Sequence, residues 1–461
     1  MTAQSIPVPL ARACTDIHLA AEADAVGGRQ PSYVAAPAST QEASAVLRAA
    51  AQLGLAVLAR GAGTRLHWGA PPERCDLLVD TRRMDTVLEH AAGDLVARIQ
   101  AGVGLRQLAD VLGAAGQRLA LDPPPAAAAA DGTAGAVGGT AGTDGTVGGL
   151  IATGVAGPLR LRYGAPRDLL IGITVVRADG TVAHSGGKVV KNVAGYDIGK
   201  LLAGSQGTLA LITEATFRLH PVPEAVAYVT AEFGPSQRPA AVTAVQSAAG
   251  SALLASAVEL DLPPSSPQSS EGQSSGGQSA RGLRVGVLVE GTSSGVAERA
   301  RQMSELLASA GGAPAVAVAD APPPRWGQLP SRGTVIRVTF WVGRLDEVLE
   351  AVTAAGASAG ARPGITGSAG AGALYACLDP GTEPGTAERF ARALRDRLDA
   401  SGGAAGGASG PRGAVVVLAG PEPVMAAGGT YGPVPGAALM RAIKDQFDPD
   451  HRMFPGRLAA L

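Results

Sequence analysis

The chain has few cysteines and no excess of charge of either sign. Its three cysteines, Cys14, Cys75 and Cys377, are too widely separated to build a disulfide framework or a Cys-x-x-Cys cluster for iron-sulfur or zinc. A reducing compartment fits this usage best. The 38 basic and 39 acidic residues leave a formal net charge of −1. The chain therefore lacks the basic field that selects nucleic acid or an anionic membrane surface, and we expect no nucleic-acid partner.

Long apolar runs are also missing. No run of 18 apolar residues occurs, and residues 1–28 carry Asp and Glu without a basic segment followed by an apolar one. The sequence therefore predicts a cytoplasmic protein without direct membrane insertion, for which any membrane association runs through partner subunits. The length of 461 residues suits two or three domains.

The first half begins with a pattern of short strands and one helix. Ser39 and Glu42 have the spacing of a capping box, and apolar residues follow at helical spacing until Gly54. Residues 32–60 therefore read as a β-α-β unit, and a glycine-containing loop, 61–69, begins directly where its second strand ends. Further elements expected in this half are strands at 76–80, at 94–102 and near 118–122, a helix at 105–112, and a hairpin within 168–185.

The second half changes character after Pro223. Strand-like and helix-like runs alternate there, which predicts an α+β domain with a helix-backed sheet. Two low-complexity segments interrupt the chain: residues 123–145, rich in Pro, Ala and Gly, which we interpret as an insertion loop, and residues 263–282, a Ser/Gln/Gly linker. A short helix, a turn and a tail are expected at 440–458.

The loop Gly61-Ala62-Gly63-Thr64 has the composition of a phosphate-binding nest. Glycines at a strand end permit positive φ and let backbone N–H groups approach a ligand closely. The loop is not a Walker loop, because no Gly-Lys-Ser/Thr ends it, and Leu66 stands where a dinucleotide fingerprint requires its third glycine. Taken alone, the loop is explained equally well by a tight turn.

Several such motifs, taken in order, resemble the FAD-binding domain of the vanillyl-alcohol oxidase / p-cresol methylhydroxylase (PCMH) family. They are RGAGT at 60–64, TVGGLIAT at 146–153, YGAPRDLLIGITVVRADG at 163–180, GSQGTL at 204–209 and ITE at 212–214. The resemblance covers about residues 31–222, and FDPDHRMFPGRL at 447–458 matches the family's returning C-terminal segment. Within the family, residues 186–209 look most like the FAD-binding subunit of glycolate oxidase.

The resemblance implies an α+β fold and a domain order. A PCMH-type FAD-binding domain of two lobes would occupy residues 31–222 after an N-terminal extension, 1–30. An α+β cap domain would follow at 223–430, and residues 431–461 would pack back on the FAD domain. The implied cofactor is FAD, held by Arg60, Gly61, Ala62, Gly63, Thr64, Thr146, Gly148, Gly149, Ala152, Thr153, Gly204, Ser205, Gly207, Leu209 and Ile212.

By resemblance, residues 61–64 hold the pyrophosphate and Thr146, Gly148 and Gly149 lie beside the flavin. Gly207, Leu209 and Ile212 pass along its other side through main-chain contacts. Two readings stay open for Ser205, a cofactor contact or a hydroxyl that caps the end of a local helix. Two interpretations also stay open for Lys188, Lys191 and Asn192. They are polar ligands near the flavin or at a subunit interface, or they form the solvated edge of a hairpin. For Tyr196 and Asp197 the two interpretations are a functional role and a structural one, in which they begin a short helix that ends at Gly204.

The chain departs from the pattern of this family in three places. Many members attach FAD through a histidine in the first glycine loop, but Thr64 occupies the matching position here and His67 lies three residues later. We therefore expect non-covalent FAD. The related hydroxy-acid dehydrogenases use clustered histidines to hold a metal, whereas one histidine remains after residue 221, so no metal is expected. Phe454 stands where the family has Asn before Pro-Gly.

The function that the resemblance implies is that of an FAD-binding subunit in a glycolate oxidase-like complex. With a second FAD-containing subunit and an iron-sulfur subunit, it would oxidise a 2-hydroxy acid such as glycolate to the 2-oxo acid, glyoxylate. No catalytic residue is assigned. Two alternatives stay open: a self-sufficient FAD oxidase with its own base in the cap, and a degenerate subunit that serves only in assembly.

Overall fold

The computed structural model describes most of the chain in nine stretches. They are residues 5–125, 145–188, 197–264, 282–312, 314–330, 332–399, 413–426, 430–432 and 434–458. The expected insertion loop and linker fall almost wholly outside the described residues, as do Lys191, Asn192 and Tyr196.

The first lobe is a small sheet covered by one long helix. Its elements are α1 (Val8–Ala13), β1 (Ile17–Leu19), β2 (Tyr33–Ala35), α2 (Thr40–Gln52), β3 (Val57–Arg60) and β4 (Leu77–Asp80). The Ser39 hydroxyl accepts a hydrogen bond from the Glu42 N–H at 3.1 Å and starts α2, as the capping pattern predicts. Strands β2 and β3 both run parallel to β4, which lies between them. The expected β-α-β unit is confirmed.

The second lobe is an antiparallel sheet with the order β5-β6-β10-β8-β9. Its elements are β5 (Val87–Ala91), β6 (Val96–Gln100), α3 (Leu105–Gly113), β7 (Gln117–Arg118), α4 (Val147–Thr153), α5 (Arg160–Tyr163), α6 (Pro166–Leu169), β8 (Leu170–Val176), β9 (Val182–Gly186), β10 (Leu211–Arg218) and β11 (His220–Pro221). The hairpin predicted within 168–185 is confirmed by the antiparallel pair β8 and β9.

One predicted strand in this lobe is present but shorter than expected. The strand expected near 118–122 is limited to β7, which pairs with β11. The chain leaves the extended ladder because the Asp122 carboxylate turns to accept the N–H of Leu159, at 3.0 and 3.1 Å, and because Pro123 to Pro125 have no N–H to donate.

The second half forms one antiparallel sheet with helices on one face. Its elements are β12 (Ala225–Phe233), α7 (Arg238–Gly250), β13 (Ala257–Leu262), β14 (Leu283–Gly291), α8 (Ser293–Ala308), β15 (Ala315–Ala319), β16 (Thr334–Phe340), α9 (Leu345–Ala359), β17 (Gly364–Gly367), β18 (Ala373–Leu378), α10 (Pro384–Asp399), β19 (Gly413–Ala419) and α11 (Glu422–Ala426). The strand order is β15-β12-β14-β13-β17-β18-β16-β19. The predicted helix-backed sheet is confirmed.

Side-chain alternation divides this cap sheet into two faces. Ile336 and Val338 of β16 join the core formed with the helices. The residues between and beside them point the other way, and Val335, Tyr375 and Cys377 pack with Trp68 of the first lobe's glycine loop. The helix-free face of the sheet therefore meets the FAD-domain side of the molecule.

The C-terminal segment returns to the first lobe after helix α12 (Ala437–Phe447). Met453 forms a parallel bridge with Val57 of β3. The Val57 N–H donates to the Arg452 carbonyl at 2.8 Å, and the Phe454 N–H donates to the Val57 carbonyl at 2.9 Å. The Arg452 guanidinium also donates to the Ala178 carbonyl at 2.6 Å. The tail thus joins the edge of the first sheet, while the domain bounds given above stay a prediction.

Candidate functional site

The predicted cofactor motifs meet around one cavity. Loop 61–64, the start of α4 and the segment before β10 approach it from different sides. Twelve of the fifteen predicted residues line it, namely Arg60, Gly61, Ala62, Gly63, Thr64, Thr146, Gly148, Gly149, Ala152, Thr153, Gly207 and Ile212. Gly204, Ser205 and Leu209 line an adjoining groove. The two spaces share Trp68, Thr153, Gln206 and Phe454 as lining residues, so they adjoin each other.

Close backbone packing explains two of the predicted glycines. A Cβ at Gly61 would lie 2.2 Å from the Thr146 hydroxyl oxygen, and one at Gly148 would lie 2.9 Å from the Ala101 Cβ. These glycines let the loop and α4 pack against their neighbours. Gly63 differs, since it has φ +76 and a Cβ there would meet no atom closer than 3.8 Å. Gly63 therefore presents its backbone to open space in the cavity.

The polar groups at the start of α4 are already bonded within the protein. The Thr146 hydroxyl accepts the Gly149 N–H at 3.3 Å, and the Gly148 N–H donates to the Ala101 carbonyl at 2.7 Å. The Thr153 hydroxyl donates to the Gly149 carbonyl at 2.8 Å. These residues therefore shape the wall of the cavity rather than offer free donors to a ligand.

Arg60 is held by two carboxylates. Its guanidinium is 2.8 Å from Asp24 and 3.0 Å from Asp80, which also binds Arg82. Burial acts to raise the pKa of Asp80, but the hydrogen bonds from Arg82 and Arg60 outweigh it and the pKa is lowered. Asp80 stays ionised, and Arg60 lines the cavity as part of an ion-pair network that fixes the end of β3.

Arg457, in the returning segment, is a cavity residue that sequence reasoning missed. Its side chain is 2% exposed, and its Nε and Nη1 have no hydrogen-bond partner among the described residues. Nη2 donates to the Leu66 carbonyl at 2.8 Å, and the guanidinium lies 3.9 Å from the Phe454 ring centroid. Burial lowers the pKa of Arg457 to about 10, so the group is still charged at neutral pH.

A buried cation with two unbonded nitrogens is costly unless an anionic or acceptor group faces it. Arg457 lines the same cavity as the glycine loop. FAD brings pyrophosphate oxygens and flavin carbonyl groups, which suit such a donor. The residues that line this cavity therefore fit FAD. The sequence contained one usable signal, because Arg457 directly follows the Pro-Gly of a tail expected to return to this domain.

Local bonding answers the question left open for Ser205. Its buried hydroxyl donates to the Leu202 carbonyl at 2.8 Å, at the end of the short 3-10 helix Ile198–Leu202. Gly204 follows that helix with φ +89. Because the hydroxyl is bonded within the chain, the helix-end reading of Ser205 is the one the geometry supports.

Three of the other uncertain residues, His67, Lys188 and Asp197, lie away from the cavity wall. His67 is exposed and does not line it, whereas Thr64 does. Lys188 pairs with Glu89 across the second lobe, and Asp197 pairs with Lys200 at 3.4 Å. Phe454, in place of the family's Asn, packs under the Arg457 guanidinium. Within the described stretches, no group of three or more His, Cys, Asp or Glu could hold a metal ion.

Comparisons with known proteins agree with this geometry. Residues 31–143 and 125–186 match the family model described as an FAD binding domain. The D-lactate dehydrogenase of Archaeoglobus fulgidus is 40% identical over 188 residues, covering 41% of this chain and 38% of that protein. Glycolate oxidase subunit GlcD of Bacillus subtilis is 33% identical over 194 residues, covering 42% and 38%. The aligned part thus spans less than half of each relative.

Solved structures extend the likeness to the whole fold. A p-cresol methylhydroxylase with substrate bound superposes with a TM-score of 0.68 at 16% identity, covering 97% of this chain and 92% of that one. An alkyldihydroxyacetonephosphate synthase superposes with a TM-score of 0.61 at 18% identity, covering 93% and 77%. The chain has an α+β fold of the PCMH type. Its FAD-binding domain includes residues 31–186, and its cofactor is FAD.

Proposed function

We propose that this chain is an FAD-dependent oxidoreductase subunit acting on a 2-hydroxy acid such as glycolate, which is oxidised to glyoxylate. The supporting observation is that the cofactor cavity shares lining residues with a groove on the helix-free face of the cap sheet. A substrate bound in this groove would lie beside the cofactor. Two of the relatives are named for D-lactate and glycolate chemistry, which supports the substrate class.

FAD supplies the hydride acceptor of such a reaction. The residues of this chain bind and orient it: the Gly63 backbone and the Arg457 guanidinium face the cavity, and Gly61 and Gly148 allow the walls to close around it. Because Thr64 lines the cavity and His67 does not, we propose that the cofactor is bound without a covalent link.

The oxidation also requires a group that accepts the hydroxyl proton as hydride leaves the carbon. We propose that this group, and the onward path for electrons, come from partners: a second FAD-containing subunit and an iron-sulfur subunit. The word subunit in the name of GlcD supports an assembly for that relative. Among the described helices, none is long and apolar enough to cross a membrane. We propose that the chain works in the cytoplasm and meets a membrane only through these partners.

Anaerobic mixing with glycolate tests the proposal, with the flavin absorption band as the readout. The purified single chain should bleach slowly, and addition of the two partner proteins should give fast and complete bleaching. Fast, full bleaching of the single chain would instead identify a self-sufficient oxidase. A chain purified without yellow colour that cannot be reconstituted with FAD would favour an assembly subunit.

A further inference from the structure

The groove beside the cofactor cavity is rich in cationic side chains. Arg160, Arg167, Arg337, Arg441 and Lys444 line it, against one acidic residue, Glu73, among the described lining residues. Lys444 is committed to the fold, since its ammonium bonds Asp448 at 2.5 Å and the Thr208 carbonyl at 2.7 Å. The excess of positive charge therefore points to an anionic ligand.

Arg337 extends into this groove from the cap sheet. It lies on β16 opposite Tyr375 of β18, and cross-strand partners project to the same face of a sheet. That face is the helix-free one. The Arg337 Nε is buried without a hydrogen-bond partner among the described residues. A buried guanidinium nitrogen in this condition is destabilising unless a ligand or water completes its bonding.

Arg160 reaches the same place from the FAD domain. It begins α5 and lines both the groove and a small cavity that Tyr375 also lines. Burial raises the pKa of the Tyr375 phenol, and the charges of Arg337 and Arg160 act against that rise. Both guanidinium groups therefore lie near one phenol, at the contact between the two domains.

Glu259 is the acidic group that acts on Arg160. It is buried, it accepts a hydrogen bond from the Ser368 hydroxyl at 2.5 Å, and burial raises its pKa to about 7. A large fraction of Glu259 is therefore uncharged near neutral pH and offers Arg160 only a partial counter-ion. Within the described part of the chain, no side-chain hydrogen bond or ion pair engages the Arg160 guanidinium.

We propose that Arg337 and Arg160 together bind the carboxylate of the small hydroxy acid, so that this chain carries a substrate subsite of its own. The planar fork of a guanidinium matches a carboxylate with two parallel hydrogen bonds. Both arginines line the groove that adjoins the cofactor cavity at Trp68 and Gln206. The inference rests on the proposed function, but its test does not depend on turnover.

Calorimetric titration of the FAD-loaded chain with oxalate measures the subsite directly. Arg337→Met and Arg160→Met should each weaken oxalate binding at least tenfold, since each removes charge-assisted hydrogen bonds. Arg337→Lys should bind with intermediate affinity, because it keeps the charge and loses the fork. Arg284→Met is the matched control: Arg284 projects from the same cap sheet but pairs with Glu232 at 2.5 Å. It should bind oxalate as the parent does.

Unchanged oxalate affinity in Arg337→Met and Arg337→Lys would overturn the proposal. Binding of inorganic phosphate as tight as that of oxalate, with the same dependence on both arginines, would overturn the carboxylate assignment. Ethylene glycol, which lacks the carboxylate, should not bind measurably. If oxalate binding depends on Arg337 but the complete complex does not oxidise glycolate, the subsite stands and the proposed function fails. If the complete complex oxidises glycolate with the same KM in Arg337→Met as in the parent, the proposed function stands and the subsite fails.

Discussion

Gly63 offers a direct test of the cofactor site, because its backbone strain can be separated from its contact with FAD. Gly63 has φ +76 and Gly54, at the end of α2, has φ +62. An alanine in this left-handed region costs about 1–2 kcal/mol. A Cβ at Gly54 meets no atom within 4 Å, and one at Gly63 meets none closer than 3.8 Å. Gly63→Ala and Gly54→Ala should therefore lower the free energy of unfolding of the apoprotein by similar amounts.

The two variants should differ in their affinity for FAD. The methyl group at Gly63 projects into the cavity beside the backbone N–H groups that we assign to the pyrophosphate, whereas Gly54 does not line the cavity. Loss of one hydrogen bond to an anionic oxygen costs about 1.5–3 kcal/mol. Gly63→Ala should therefore bind FAD about 10- to 150-fold more weakly, and Gly54→Ala should match the parent.

Titration of the apoproteins with FAD, followed by quenching of flavin fluorescence, gives the dissociation constants, and thermal unfolding of the same samples reports the strain. Equal dissociation constants for Gly63→Ala and the parent, at a similar loss of stability in both variants, would show that the loop does not hold the cofactor. Gly63→Val and Gly149→Val, which place larger side chains at the same wall, should abolish FAD retention.

Three further predictions concern the linkage, the buried cation and a buried acid. Acid precipitation should release FAD into the supernatant, and yellow colour in the pellet would point to a covalent link, with His67 the first residue to check. Arg457→Met should weaken FAD binding at least tenfold. The stability of the apoprotein should stay equal or rise, because the variant removes a buried charge with two unbonded nitrogens. Unchanged FAD affinity would contradict a role of Arg457 in binding the cofactor. Burial raises the folded-state pKa of Glu259 from 4.5 to about 7, so the folded state binds more protons and its stability falls as pH rises through this window. Glu259→Gln should therefore be more stable than the parent at pH 8, by up to roughly 3 kcal/mol, and show little difference at pH 4; equal thermal unfolding at pH 8 would contradict the shift.

Local sequence signals were sufficient for much of the FAD domain. The Ser39 cap, the strand before loop 61–69 and the turn at Asp179-Gly180 each depend on neighbours within a few residues, and the structure has all three. The order of motifs along the chain added what no single motif contains. Because of that order, segments centred on residues 62, 149 and 207 could be placed around one cavity before the structure was known.

Long-range contacts were beyond the reach of the sequence. Arg457 bonds the Leu66 carbonyl across 391 positions, and its unbonded nitrogens matter only because both segments line one cavity. The cap sheet shows the same limit. β13, β17 and β18 are short, and their buried residues on both faces give a weak alternation. Only the assembled sheet shows that Arg337 and Tyr375 project toward the FAD domain.

The segment that first suggested a glycolate oxidase subunit also joins the two spaces of the site. Gln206, with φ +53, lines both the cofactor cavity and the groove, and its amide donates to the Tyr431 hydroxyl at 2.8 Å. Loop 204–209 is therefore fixed by its own helix-end hydrogen bonds and, from the groove side, by Tyr431. A substrate carboxylate held by Arg337 would lie in the groove that this loop borders. The loop that carries the resemblance to glycolate oxidase therefore borders the cationic groove. Cofactor and substrate would have to meet beside this loop.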